Sequence, residues 1–148
     1  MEVKSIEEKT NLKNVDELNT FFEISSLKNE DFLLREIRRK IVAHLEMCLE
    51  IFSKLVSPDG SLLQSLEAQS LSDNEREKCI GIIRSFGSLL KDHILLEVES
   101  NDDAERIFCN TALTRYKEHL PEMNSIIQKV KSAYTTQGTV QDAIHYLG

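Results

Sequence analysis

The chain has 148 residues, a length at which one domain is usual and a hydrophobic core needs no metal ion or disulfide to support it. Apolar residues make up 41% and charged residues 29%, and the small numbers of Gly, Pro and aromatic residues favour helices over sheets. A formal net charge of −7 argues against general binding to nucleic acids or to anionic membrane surfaces, because Lys and Arg hold such partners.

The first residues lack the apolar segment of a secretory signal, and no apolar run approaches the length of a transmembrane helix. The three cysteines are odd in number and each lies within a helical pattern, which indicates buried free thiols in a reducing compartment. We therefore expect a cytoplasmic protein that does not enter a membrane.

The chain begins with a polar segment, residues 1–13, whose sequence leaves open whether it is ordered, and one short helix follows. Residues 1–13 show no clear apolar period. Asn14 and Glu17 then have the spacing of a helix-capping pair, and the apolar residues that follow form one short face. We expect a helix at about residues 14–25.

Residues 29–56 contain no Gly or Pro and predict the first long helix, with Asn29 as its N-cap. Apolar residues recur at steps of three and four and form a stripe that must be buried. Val42, Leu49 and Val56 widen this apolar surface, so we expect the helix to contact more than one neighbour. The stripe consists of Leu34, Ile37, Ile41, His44, Cys48, Ile51 and Leu55.

A turn around Pro58 ends this helix, and residues 61–70 predict a short helix after it. Ser72 and Glu75 form a capping box that begins a second long helix, at about residues 72–99. Its main apolar stripe consists of Cys79, Ile83, Phe86, Leu90 and Ile94.

Residues 102–135 predict a third long helix with a regular apolar stripe. Pro121 lies inside it, so we expect a bent but continuous helix with a kink near residues 117–121. Gly138 ends the pattern, and a short C-terminal helix is expected at about residues 139–147. The stripe consists of Cys109, Leu113, Tyr116, Leu120, Met123, Ile127, Val130 and Tyr134.

Three long helices and several short ones, joined mostly by short links, predict an all-α up-and-down helical bundle. We find no internal repeat and no linker long enough to divide the chain, so residues 1–148 are expected to form a single domain. The sequence contains no Gly-rich phosphate loop, Cys-x-x-Cys, Glu-x-x-His or Gly-x-Ser-x-Gly motif, which weakens the case for several enzyme classes.

Two cysteines and two histidines resemble a metal site in the type of their side chains. If the first two long helices are antiparallel, Cys48 and Cys79 lie at one level, with His44 and His119 close to that level. Two thiolates and two imidazoles suit a tetrahedral zinc ion. The alternative is ordinary core packing, because free Cys is among the most buried residues and usually has no chemical role.

Arg39 and His44 are separated by four residues, and this spacing resembles the Arg-x4-His element of the HEPN ribonuclease family, whose members are helical and of about this size. The resemblance covers six residues and implies that Arg39 and His44 are a catalytic pair. The alternative is that His44 completes the apolar stripe while the basic residues form a solvated face. These basic residues are Arg35, Arg38, Arg39 and Lys40.

His93 and Glu97, four residues apart on the second long helix, are spaced to bind a metal ion or to act as acid and base, although such a pair is more often a surface contact. The acidic residues around residue 100 are expected to form the solvated end of the bundle.

Two classes of function remain open. The first, which we favour, is a non-enzymatic helical module that associates with itself or with a partner protein and needs no cofactor, because its helices are apolar on more than one side. The second is a small metal protein or a HEPN-like ribonuclease that uses His44 with Arg39 or with Cys48 and Cys79.

Overall fold

The computed structural model describes residues 1–135, and within them the chain is helical and contains no β-strand. The all-α prediction is confirmed. The helix predicted at residues 139–147 lies outside the described residues. In chain order the helices are α1 (Val3–Thr10), α2 (Val15–Phe22), a short 3-10 helix (Ile24–Ser26), α3 (Leu33–Val56), α4 (Leu62–Gln69), α5 (Asp73–Val98) and α6 (Asp102–Ser132).

The contacts of the chain group into two units. Unit 1 comprises Met1–Met47 and Phe86–Lys117, and unit 2 comprises Cys48–Ser85 and Glu118–Gly148. Within unit 1 the N-terminal parts of α3 and α6 pack with the C-terminal part of α5. Consecutive long helices therefore run in opposite directions, as the up-and-down bundle predicted. That the chain is a single domain stays a prediction.

The N-terminal segment, whose order the sequence leaves open, is structured: residues 3–10 form α1. Ile6 is fully buried, and the amino group of Met1 donates a 2.8 Å hydrogen bond to the carbonyl oxygen of Ser25. The helix ends where Asn11 adopts a left-handed conformation, a common C-terminal geometry. Ile6 and Leu12 are too few to produce a readable period, so only packing against the rest of unit 1 reveals this helix.

The first long helix begins four residues later than predicted. The side chain of Asn29 accepts a 3.0 Å hydrogen bond from the backbone N–H of Asp31, which forms a local turn instead of an N-cap. Phe32 then has a left-handed backbone, with φ of 54°, immediately before Leu33 begins α3. The short helix expected at residues 14–25 is likewise reduced to α2, because Glu23 also adopts the left-handed conformation.

The later boundaries agree closely with the sequence. Ser72 and Glu75 form the predicted capping box, with hydrogen bonds of 2.9 and 3.2 Å between each side chain and the backbone N–H of the other residue. Asn101 caps α6 by accepting a 2.9 Å hydrogen bond from Ala104. Pro121 lies inside α6, which runs through it without a break. Within residues 1–135 no helix combines the length and apolar character that a membrane span requires.

Not all predicted stripe residues are buried. The sequence placed Ile94 on the inner face of α5, but its side chain is 51% exposed, and Leu95 beside it is 67% exposed. In α3 Ile51 is exposed, and in α6 Ile127 and Tyr134 are exposed. Because α5 is apolar over much of its circumference, periodicity alone does not show which residues face inward. The buried stripe of α5 consists of Cys79, Ile82, Phe86 and Leu89.

Candidate functional site

Arg38 lies inside unit 1 with 0% of its surface exposed, although the sequence had placed it on a solvated face. Burial of an unpaired guanidinium would cost several kcal/mol or more. Its charge is therefore compensated by acceptors on two other helices, and hydrogen bonds from Arg38 to Glu105 and Glu97 outweigh the effect of burial and raise its pKa.

On α6, Glu105 receives two hydrogen bonds from Arg38. The Arg38 Nε atom lies 2.7 Å from one carboxylate oxygen, and Nη2 lies 3.1 Å from the other. Ser100 donates a further hydrogen bond of 2.8 Å to the same carboxylate. Glu105 is 3% exposed, so this two-point pair is buried and has the geometry that makes Arg–carboxylate contacts strong.

On α5, Arg38 meets Glu97 and His93. Its Nη1 atom lies 2.9 Å from Glu97 Oε1 and 2.5 Å from His93 Nδ1. Since an arginine donates and does not accept, Nδ1 of His93 is the acceptor and carries no proton. Burial first, and then the positive charge of Arg38, lower the pKa of His93 and favour this neutral form.

Arg39 closes the network at the surface. Its Nε and Nη2 atoms bind the two oxygens of Glu97 at 2.9 and 3.0 Å, and Nη1 lies 3.2 Å from Glu36. The hydrogen bonds from Arg39, followed by those from Arg38, lower the pKa of Glu97 to about 2. We refer to Arg38, Arg39, His93, Glu97 and Glu105 as the Arg38 network, which joins α3 to both α5 and α6.

The structure gives Arg39 and His44 different partners. Five positions along an α-helix correspond to a rotation of roughly 140° between side chains, so the two point in different directions. His44 Nε2 lies 3.0 Å from the hydroxyl of Tyr116, and the imidazole ring packs against Phe22. Burial lowers the pKa of His44. His44 is thus part of an aromatic cluster in unit 1, while Arg39 belongs to the Arg38 network.

The four residues of the hypothetical zinc site are distributed over both units. Cys48 and Cys79 are buried in unit 2, as predicted, and burial raises the pKa of each thiol, that of Cys79 to about 11. His119 lies in unit 2 at 3.5 Å from Glu122, and His44 lies in unit 1. Across residues 1–135 no group of three or more His, Cys, Asp or Glu side chains is arranged to hold a metal ion.

The outer surface of α5 and α6 in unit 1 carries an apolar groove of about 270 Å³. Three large apolar side chains at or beside it are mostly exposed: Leu95 at 67%, Val98 at 82% and Ile107 at 66%. Leu95 and Ile107 line the groove from the two helices, and Val98 follows Leu95 by one turn. The groove is lined by Leu89, Asp92, Leu95, Leu96, Ala104, Ile107, Phe108 and Thr111.

The Arg38 network and the groove share the same two helices. His93 and Glu97 point from α5 toward Arg38, whereas Leu95 and Val98 are exposed on that helix. Glu105 binds Arg38 from α6, two residues before Ile107. The buried ion pairs therefore fix the positions of the helices that form the groove. Arg38 could not be recognised from the sequence, because a fully buried arginine is rare and no local pattern marks it.

Comparisons of this chain with protein-family models, with curated proteins and with solved structures find no match. The resemblance to HEPN ribonucleases rests on the six residues from Arg39 to His44 alone.

Proposed function

We propose that this protein is a non-enzymatic binding module whose groove between α5 and α6 receives the apolar face of a helix from a partner protein. The observation that carries the proposal is the exposure of Leu95, Val98 and Ile107 at and beside an apolar groove. Contiguous exposed apolar surface of this kind is typical of protein-binding sites. Grooves between helices commonly bind a partner helix through apolar anchors at steps of three and four residues.

The rigidity of the groove supports the same function. Arg38 holds α5 through Glu97 and α6 through Glu105, so the two walls are positioned before a partner arrives. A preformed site loses less conformational entropy on binding than a flexible one. We further propose that the protein acts in the cytoplasm, a location supported by its three buried free thiols.

Self-association is the competing form of this function. The sequence suggested Val42, Leu49 and Val56 as the surface that two copies would share. Val42 is 4% exposed within its own chain and contributes no free surface, while Leu49 and Val56 are partly exposed in unit 2. A homo-oligomer stays a prediction, and light scattering of the purified protein at several concentrations measures it directly.

Site-specific photo-crosslinking tests the proposal. A photoreactive phenylalanine analogue is placed at Ile107, which is 66% exposed, and as a matched control at Leu63, which is 62% exposed in unit 2. In the cells that produce this protein, we expect a discrete adduct with another protein from position 107 and none from position 63. Val98→Lys in the same chain should abolish that adduct, because it places a charge in the apolar surface.

Three results would contradict the proposal. Equal adducts from both positions would show non-specific contact, and no adduct from position 107 would show that the groove is empty in the cell. An adduct of twice the mass of one chain would show that a second copy occupies the groove.

A further inference from the structure

The charged residues in the segment that forms the groove are mostly acidic. From residue 88 to residue 107 the sequence contains six acidic residues and two basic residues, Lys91 and Arg106. Glu97 and Glu105 are neutralised by the Arg38 network, and Arg106 lies 2.6 Å from Asp103. Of the remaining exposed acidic residues, Asp92 lines the groove and Glu99 follows Leu95 by one helical turn, whereas Asp102 lines a separate pocket with Lys9 and Arg35. The other basic residue of this segment is Lys91.

The C-terminal end of α5 adds to this negative potential. A helix carries a partial negative charge at its C-terminus, where Lys or Arg side chains stabilise it. The last turn of α5 has no basic residue, and Glu99 follows directly after Val98. Arg38 and Arg39 neutralise Glu97 in this turn, so the negative charge at the end of the groove nearest Val98 is that of Glu99, beside exposed apolar surface.

We propose that the segment which binds the groove is a basic amphipathic helix, with an apolar face toward Leu95 and Ile107 and Lys or Arg residues on its margins. This inference rests on the proposed function and specifies its partner. Apolar contact supplies affinity, while opposite charges around the groove select the partner and accelerate its association. A second copy of this chain fits less well, because each copy has a net charge of −7 and presents the same acidic margin.

Three synthetic helical peptides of about 18 residues, a length that spans several turns, provide the test. All three have leucines at steps of three and four, and their flanking positions carry Lys, Gln or Glu. We expect the Lys peptide to bind about tenfold more tightly than the Gln peptide, and the Glu peptide to bind more weakly than either. The advantage of the Lys peptide should decline as salt is added, because ions screen exposed charges. Fluorescence anisotropy of labelled peptides measures the dissociation constants.

Variants of the protein separate the charge from the apolar contact. Asp92→Asn combined with Glu99→Gln should remove most of the advantage of the Lys peptide and leave binding of the Gln peptide unchanged. Ile107→Ser should weaken all three peptides, whereas the control Leu63→Ser in unit 2 should weaken none. All these residues are exposed, so circular dichroism should show an unchanged fold.

The outcomes distinguish this inference from the function on which it rests. If the Gln and Lys peptides bind equally, and both depend on Ile107, the groove binds helices but does not select basic ones, and the inference is wrong. If no peptide binds in a manner that depends on Ile107, the proposed function is wrong as well.

Discussion

Units 1 and 2 are both helical, but they fill their interiors differently. Unit 1 buries two charged residues, Arg38 and Glu105, among its apolar side chains. In the described part of unit 2, the buried residues are apolar except for Ser65, and they include two thiols and the aromatic ring of Phe52. The same long helices thus pass from an interior organised by ion pairs to one organised by apolar packing.

Ion pairs and apolar packing restrict the positions of helices to different degrees. Apolar packing tolerates small shifts, because many arrangements of similar volume have similar energy. A buried two-point contact such as that between Arg38 and Glu105 is satisfied in only one arrangement, and any shift leaves a charge without its partner. The ion pairs of unit 1 thus hold in place α5 and α6, the two helices that line the groove.

Arg38→Met should cause the largest loss of stability. It removes the buried cation that distinguishes the interior of unit 1 from the apolar interior of unit 2. Loss of the cation leaves Glu105 buried without compensation, so we expect the free energy of unfolding to fall by about 3–5 kcal/mol. Urea denaturation followed by far-UV circular dichroism measures it. Adding Glu105→Gln to the same chain should restore part of the loss.

Arg39→Met is the matched control for Arg38→Met. Arg39 also binds Glu97 but is exposed, and exposed ion pairs contribute little to stability, so we expect a much smaller loss than for Arg38→Met in the same urea measurement. Equal losses for the two variants would show that burial of the network has no special role in unit 1.

Substitution of the buried thiols tests whether unit 2 is held by apolar packing or by a metal ion. Cys48→Ala and Cys79→Ala each remove one buried sulfur atom, so we expect losses of about 1–2 kcal/mol. Metal content, measured by mass spectrometry on protein without a histidine tag, should be unchanged. A structural zinc site would instead lose its metal and unfold, because metal-binding energy there is folding energy.

The smallest expected effect is a loss of stability in acid. It tests the contribution of Glu97 to the Arg38 network of unit 1. Glu97 has a folded pKa of about 2, below the ordinary value of about 4.3, so its ionised form stabilises the fold above roughly pH 5. This contribution is lost as the pH falls from about 5 to about 2. Since Glu97 is partly exposed, we expect roughly 1 kcal/mol, seen as a shallower acid limb in Glu97→Gln than in the parent protein. Parallel acid limbs for the two proteins would contradict a lowered pKa of Glu97 in the folded protein.

The helical fold could be read from the sequence because its signals are local. Capping residues such as Ser72 with Glu75 bind their own helix, and steps of three and four apolar residues mark helices wherever they occur. The beginning of α3 was less predictable. There Asn29 bonds to the next turn, and Phe32 adopts a left-handed backbone that sequence rules seldom assign to an aromatic residue.

The candidate site could not be read in the same way, since it depends on which side of each helix faces inward. His93 and Glu97 were recognised as a pair four residues apart, but their partner Arg38 lies more than fifty residues earlier on another helix. Leu95 and Val98 are apolar, yet nothing local distinguishes them from buried neighbours such as Leu89.

The sequence by itself determined the helical class, the order of the long helices and most of their ends, because these follow from periodicity and capping within each helix. The tertiary structure alone decided that Arg38 is buried, that α5 turns Leu95 and Val98 outward, and that residues 3–10 form a helix. These outcomes depend on contacts between segments that are distant in the chain. Such contacts decide which face of each helix is buried, because burial of one face has a different free energy from burial of another.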